Sequence, residues 1–229
     1  MKESSKTNQI RSEEFFNTYL KGKVIDIGGG NDAVTENAEV FDLEHGDAQH
    51  ILKYKDKESY DCVYSSHCLE HMKDVPLALS KWWKLVKPEG YMIIVVPHED
   101  LYEQKIWPPV FNDDHKATFR FQTEKSWSPV SYDIFDLAQN LPNSSIISAE
   151  VQDLNYDYSL LGKRHGRGAR KIYKWRSSKN KIKRFISKSI YDFLHDNYWV
   201  KSNKKSGIPI DQTIWNALAQ IQIVIKKLN

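Results

Sequence analysis

The run Val24-Ile25-Asp26-Ile27-Gly28-Gly29-Gly30-Asn31 constrains this chain more than any other stretch. Its first four residues, mostly β-branched, read as a short buried strand. Three consecutive glycines then allow a tight turn, because no Cβ obstructs the backbone. Such a turn after a first strand lets main-chain N–H groups approach a polar ligand closely. Glycines at 28 and 30 with Ala33 also satisfy the dinucleotide pattern G-x-G-x-x-G/A. A second strand, residues 38–43, ends in Asp42, whose carboxylate can accept hydrogen bonds from both hydroxyls of a ribose. At this point a dinucleotide and any other adenosine ligand are both open.

The following residues continue an alternating pattern. Residues 12–21 read as an amphipathic helix with Ser12 as N-cap, closed by Gly22 before the first strand at 23–27. Residues 61–65 form an apolar strand that ends in Ser65 and Ser66. Residues 75–86 carry a helical apolar stripe, in which Trp82 and Trp83 read as core. Lys87-Pro88-Glu89-Gly90 is a turn, and residues 91–97 are a fully apolar strand, as in parallel sheets buried on both faces. Residues 131–141 read as a helix, and 145–152 and 219–226 as late strands. The last alternates polar and apolar residues, so it is expected to be antiparallel and near an edge. Strand–helix alternation argues for an open parallel sheet with its ligand at the carboxyl ends of the strands.

Asp26, Gly28 and Gly30 fit a D-x-G-x-G pattern, and Tyr60-Asp61-Cys62-Val63-Tyr64-Ser65-Ser66-His67-Cys68-Leu69-Glu70-His71 follows "F-D-x-V-x-S-x-x-x-L-E-H". With the acid at 42, Gly46-Asp47-Ala48 and an "L-K-P-G-G"-like segment at 85–91, the chain resembles class I S-adenosylmethionine-dependent methyltransferases. Glu89 stands where glycine is commoner. The resemblance implies an α/β, Rossmann-like, mostly parallel seven-stranded sheet with helices on both faces and a final antiparallel hairpin. It implies S-adenosylmethionine as cofactor and S-adenosylhomocysteine as product. Donor contacts would come from Asp26, Gly28, Gly30, Asp42, Leu43, Asp47, Ala48, Ser65 and Ser66, with Asp42 on the ribose and Asp47 facing the adenine amino group. An Asp-containing turn is the plain alternative for Asp47. Glu70 and His71 read as packing and local hydrogen bonding rather than as reacting groups.

With 229 residues the chain is expected to be a single methyltransferase domain. No apolar run approaches the roughly 20 residues that span a bilayer. The polar N-terminus lacks a signal-peptide core, so a cytoplasmic protein is expected. Cys62 and Cys68 lack C-x-x-C spacing and read as buried thiols. The net charge of +3 conceals an asymmetry. Residues 163–205 hold 15 Lys and Arg against 2 Asp, a balance of +13, which leaves −10 for the rest. This basic block, with a helix expected at 182–198, reads as an insertion that interrupts the final hairpin, the core being 12–162 and 206–229. It is a solvated face, a cradle for phosphates or a peripheral membrane contact, or a nucleic-acid arm.

Methyl transfer to a hydroxyl needs alignment and a base. The base is expected beyond the fifth strand. There, Asp100-Leu101-Tyr102-Glu103-Gln104 and Phe111-Asn112-Asp113-Asp114-His115-Lys116 resemble the D-L-Y-E-Q and F-N-x-D-H-K stretches of methyltransferases from bacterial capsule and O-antigen gene clusters. Asp211-Gln212-Thr213 and 217–221 resemble the same group. His115 is the expected base, oriented by Asp113 or Asp114, with His98 as alternative. Asp113, Asp114 and His115 holding a divalent cation is a third reading. A surface Asp-Asp-His turn is the bland one. A carbohydrate or nucleotide-sugar acceptor is thus preferred to nucleic acid. An RNA methyltransferase and a non-catalytic donor-binding module are the other classes weighed.

Overall fold

The computed structural model describes residues 3–161, 175, 180–194 and 210–229. At its centre is a six-stranded sheet in the order β2-β1-β3-β4-β8-β7. The strands are β1 (Val24–Ile27), β2 (Glu39–Phe41), β3 (Tyr60–Ser66), β4 (Val86–Pro97), β7 (Ser144–Gln152) and β8 (Gln220–Lys227). β2, β1, β3 and β4 pair in parallel. β8 runs antiparallel to both β4 and β7, so it alone points the other way. β5 (Thr118–Arg120) and β6 (Ser131–Asp133) form a separate parallel pair.

Side chains alternate between the two faces of each strand. Ile25, Ile27, Val63, Met92, Ile94 and Val96 pack with α3 (Val75–Trp83) and α4 (Ile134–Gln139) in the larger core. Val24, Cys62, Tyr64, Ile93 and Val95 face the other way, against Phe15, Phe16 and Tyr19 of α2 (Glu13–Tyr19). Helices thus cover both faces. Ser12 caps α2 by accepting from Phe15 N–H at 3.2 Å, and Asp74 caps α3. Trp82 and Trp83 are core residues, their indole N–H groups donating to the carbonyls of Ala48 and Pro142, each at 2.9 Å.

Several expectations need correction. Among the described residues the main sheet has six strands, not seven. Only residues 42–59 separate β2 from β3, and a 3-10 turn at Ala48–Lys53 occupies their middle. That leaves no room for another strand and its crossover, which takes a dozen or more residues. β8 is antiparallel and stands next to the edge strand β7, as its alternation of polar and apolar residues predicts. The alternating glutamines of β8 have a local cause. They meet polar groups near the N-terminus: Gln220 Nε2 donates to Thr7 Oγ1 at 2.9 Å, and Gln222 Oε1 accepts from Arg11 at 2.6 Å. Thr7 belongs to α1 (Glu3–Asn8), a helix not expected from the polar N-terminus. The expected helix over 131–141 divides into β6 and α4.

β4 begins earlier than expected. Val86 and Tyr91 oppose Tyr60 and Cys62, so Lys87–Gly90 bulge out of the ladder. Within the bulge Glu89 has φ +64°, a left-handed conformation that glycine adopts without steric cost. In the basic block a helix, α5 (Lys181–Leu194), is described. Most of the proposed insertion at 163–205, and the end of the helix expected over 182–198, lie outside the described residues. No described helix is long and apolar enough to cross a membrane.

Candidate active site

The parallel strands deliver their carboxyl ends to one edge, where a cleft of about 310 Å³ opens. Gly28, Asp42, Leu43, Asp47 and Ala48 line it, with Phe41, Gly46, His67, Cys68, His71, Met72 and Asp114. Gly28 sits at φ +84°, and a Cβ there would stand 2.6 Å from Cys68 Cβ. Only glycine suits both constraints. A Cβ on Gly30 would stand 3.1 Å from Asp42 Oδ2, so the turn is held close against the acid of the next strand. Asp42 Oδ1 accepts from Leu43 N–H at 2.7 Å. Leu43 itself is 90% exposed, an apolar side chain standing open on the cleft wall. Asp47 caps the following turn through Gln49 N–H at 2.9 Å and meets His50 Nδ1 at 2.9 Å. The His50 contact holds its carboxyl below the usual range.

Four other expected donor residues do not line the cleft. Asp26 is fully buried and accepts from Val34 N–H at 2.7 Å, which closes the glycine loop from behind. Burial pushes its pKa up to about 7. Gly30 shapes the turn. Ser65 Oγ donates to the Ile27 carbonyl at 2.9 Å inside the sheet. Ser66 is buried, and its hydroxyl makes no hydrogen bond. A turn without room for a Cβ, an acid at the next strand end and apolar walls fit an adenosine-bearing ligand.

Beside the cleft lies a buried cluster. Glu70 is 0% exposed, and neither carboxyl oxygen makes a hydrogen bond. Three imidazole nitrogens approach its Oε1: His67 Nδ1 at 3.7 Å, His71 Nε2 at 3.9 Å and His115 Nε2 at 3.9 Å. Each ring is held by its other nitrogen. His115 Nδ1 meets Glu103 Oε1 at 2.6 Å, His71 Nδ1 meets Asp114 Oδ2 at 3.0 Å, and His67 Nε2 meets Gln220 Oε1 at 3.0 Å. Tyr102 stacks on His115 with ring centroids 5.3 Å apart. Burial raises Glu70 and Glu103 to about 8 and lowers His115 to about 4. His67 and His71 are lowered by the same cause.

This geometry corrects the expected catalytic set. Glu103, not Asp113 or Asp114, orients His115. Asp114 instead holds His71, while Asp113 pairs with Lys188 Nζ of α5 at 2.8 Å. The proposed cation set Asp113, Asp114 and His115 is therefore not brought together. The described group whose ligand atoms converge is Glu70, His71 and His115. His98 lines a separate cleft of about 380 Å³ with Glu99, Arg120 and Trp127. Its Nδ1 accepts from Asp100 N–H at 3.1 Å. Sequence reasoning missed Glu103, although it lay within the quoted D-L-Y-E-Q stretch. It also took Glu70 for a locally hydrogen-bonded packing residue.

Residues 23–94 match the family model of a methyltransferase domain. No curated protein matches the chain in sequence. Among solved structures it is similar to a provisionally assigned sarcosine dimethylglycine methyltransferase of Galdieria sulphuraria. Identity is 15% and the TM-score 0.50, over 99% of this chain and 84% of that one. It is also similar to a SAM-dependent methyltransferase of Archaeoglobus fulgidus, at 15% identity and a TM-score of 0.49, over 99% and 95%. The fold is a mixed α/β, Rossmann-like methyltransferase fold. Likeness at such identity carries no information on the acceptor.

Proposed function

We propose that this S-adenosylmethionine-dependent methyltransferase delivers its methyl group to a hydroxyl of a carbohydrate, as a nucleotide-linked or polymer-linked sugar of bacterial surface-glycan synthesis. One observation carries the reading. Glu103 and His115, 2.6 Å apart, join the two stretches that resemble methyltransferases of polysaccharide gene clusters. They do so beside the cleft rather than on the outer surface.

When bound, S-adenosylmethionine supplies an electrophilic methyl group on a sulfonium. The chain supplies the rest. Asp42 accepts hydrogen bonds from a ribose, Leu43 and Ala48 offer apolar walls to an adenine, and Asp47 stands where the adenine amino group is expected. Tyr102, stacked on His115 and packed edge-on against Phe111, covers one face of the imidazole. A hydroxyl is a poor nucleophile until it loses its proton, and a positioned base typically contributes about 10²–10⁴-fold. In this role Glu103 holds Nδ1–H of His115, and Nε2 takes the proton. Because burial raises Glu103 to about 8, the pair carries an extra proton at neutral pH. Its basic form fills as pH rises through about 8, and turnover should climb over that range. A nucleotide-sugar acceptor would place the reaction in the cytoplasm, with the basic stretch 163–205 offering counter-charge to phosphates or to a membrane surface.

The experiment is transfer of a labelled methyl group to a panel of nucleotide-sugars and glycans, with RNA as the competing acceptor. Label in a sugar hydroxyl supports the assignment. Label only in RNA, or in an amine, overturns it.

A further inference from the structure

We propose that Glu70, His71 and His115 form a binding site for one divalent first-row transition-metal ion, of the kind that zinc, cobalt or manganese represents. Three independent features point there. The ligand atoms of these residues all lie within 4.8 Å of one another. Glu70 is fully buried with both carboxyl oxygens lacking a hydrogen bond. Buried polar groups are almost always hydrogen-bonded, so a carboxylate left this way among imidazoles calls for a partner that is not a protein donor.

The third feature is the way the rings are held. His115 Nδ1 is fixed by Glu103 at 2.6 Å and His71 Nδ1 by Asp114 at 3.0 Å. Both rings thereby turn Nε2 toward the same Glu70 oxygen, each at 3.9 Å. A metal-ligating histidine usually has its second nitrogen on a carboxylate, which sets the tautomer and the ring orientation. Here two histidines have that support. A tetrahedral ion with bonds of about 2.0–2.2 Å separates its ligand atoms by about 3.3–3.6 Å. The present separations, up to 4.8 Å, would close to that range on binding the ion.

Two imidazoles and one carboxylate leave at least one coordination position open. His71 also lines the donor cleft, so the group stands at the wall of the cleft that the methyl donor would occupy. An oxygen ligand in the open position, such as a sugar hydroxyl, would complete the shell. The nitrogen-rich set suits a transition ion better than Mg²⁺ or Ca²⁺, which favour oxygen ligands. The site deepens the preceding reading and rests on it only for the identity of that last ligand. In loaded protein His115 Nε2 would be a ligand, and a hydroxyl bound to the cation would release its proton to solvent water instead of to His115. In ion-free protein Nε2 remains the base.

The test is titration of chelator-treated full-length protein with Co²⁺, Zn²⁺, Mn²⁺ and Mg²⁺, followed by calorimetry and the visible absorption of Co²⁺. One equivalent of Co²⁺ or Zn²⁺ should bind, at least 100-fold more tightly than Mg²⁺. Glu70→Gln and His71→Ala should each weaken it at least 10-fold, and Asp113→Asn should not. Glu70→Gln preserves shape, and the melting temperature of its ion-free form reports that it folds. Absence of binding by the native chain overturns the site. So does equal affinity in all three variants, or loss confined to Asp113→Asn. Metal binding without sugar methylation would sink the acceptor reading alone. Sugar methylation by a chain that binds no ion would sink the metal site alone.

Discussion

Glu99 and Glu70 are both buried acids at the carboxyl end of the sheet, and they are treated in opposite ways. Glu99 is 3% exposed and accepts from three hydroxyls. Thr118 Oγ1 lies at 3.1 Å, Ser126 Oγ at 2.9 Å and Ser131 Oγ at 2.5 Å. These donors tie β4 to the β5–β6 pair, so the charge is fully employed in holding the fold. Glu70 has no such donors, only imidazoles beyond hydrogen-bonding distance. A buried acid without donors costs stability and is held in its protonated form, its pKa raised to about 8. One acid therefore reads as a structural clamp, the other as a group kept for a ligand or a reaction.

The difference can be broken by substitution. Around Glu70 the cost should fall on activity. His115→Ala should lower turnover by about 10²–10⁴-fold while S-adenosylhomocysteine affinity stays within twofold of the native value. Comparable loss in both would make His115 a structural residue. Around Glu99 the cost should fall on stability. Glu99→Ala strands three hydroxyl donors and should destabilise by about 2–3 kcal/mol in chemical denaturation. A change under about 0.5 kcal/mol would erase the contrast, since that is the usual range for surface substitutions.

pH sharpens the contrast from the side of Glu70. Glu70 and Glu103 keep their protons in the fold up to about 8, against an ordinary value of 4.5. Between those limits the folded state holds more protons than the unfolded state, so stability falls as pH rises. The melting temperature of ion-free protein should drop from about pH 7 to pH 8, above the range in which the buried histidines, whose pKa values are lowered, oppose it, and Glu70→Gln should flatten part of that slope. An identical slope in the variant would show that Glu70 ionises normally. The smallest effect is expected far from both acids. Glu89→Gly removes a left-handed glutamate but also its 2.5 Å contact with Lys226. Its net gain should stay below about 1 kcal/mol, measured by the same denaturation.

What the sequence revealed follows the same division between local and distant causes. β1, β3 and the apolar part of β4 were legible because their burial is written in consecutive side chains. Gly28 and Asp42 were legible because a turn and a strand end are local. The six-strand count was not, since the seventh strand came from resemblance and residues 42–59 supply no place for it. The Glu103–His115 pair was not legible either. Its members are separated by eleven residues of irregular backbone, with no period to show which carboxylate faces the ring. Asp113 and Asp114 were nearer in sequence, but their side chains turn to Lys188 and His71. Glu70 was misjudged because its isolation becomes visible only when all its neighbours are placed.

The most direct test of the cleft as a donor site is calorimetric titration with S-adenosylhomocysteine, run on the native chain and on Asp42→Ala. Micromolar binding by the native chain, weakened at least about tenfold by the substitution, is the expected result, because a charged hydrogen bond is worth about 1.5–3 kcal/mol. No binding by the native chain, or equal binding by both, would contradict the placement of the donor along Gly28, Asp42 and Asp47.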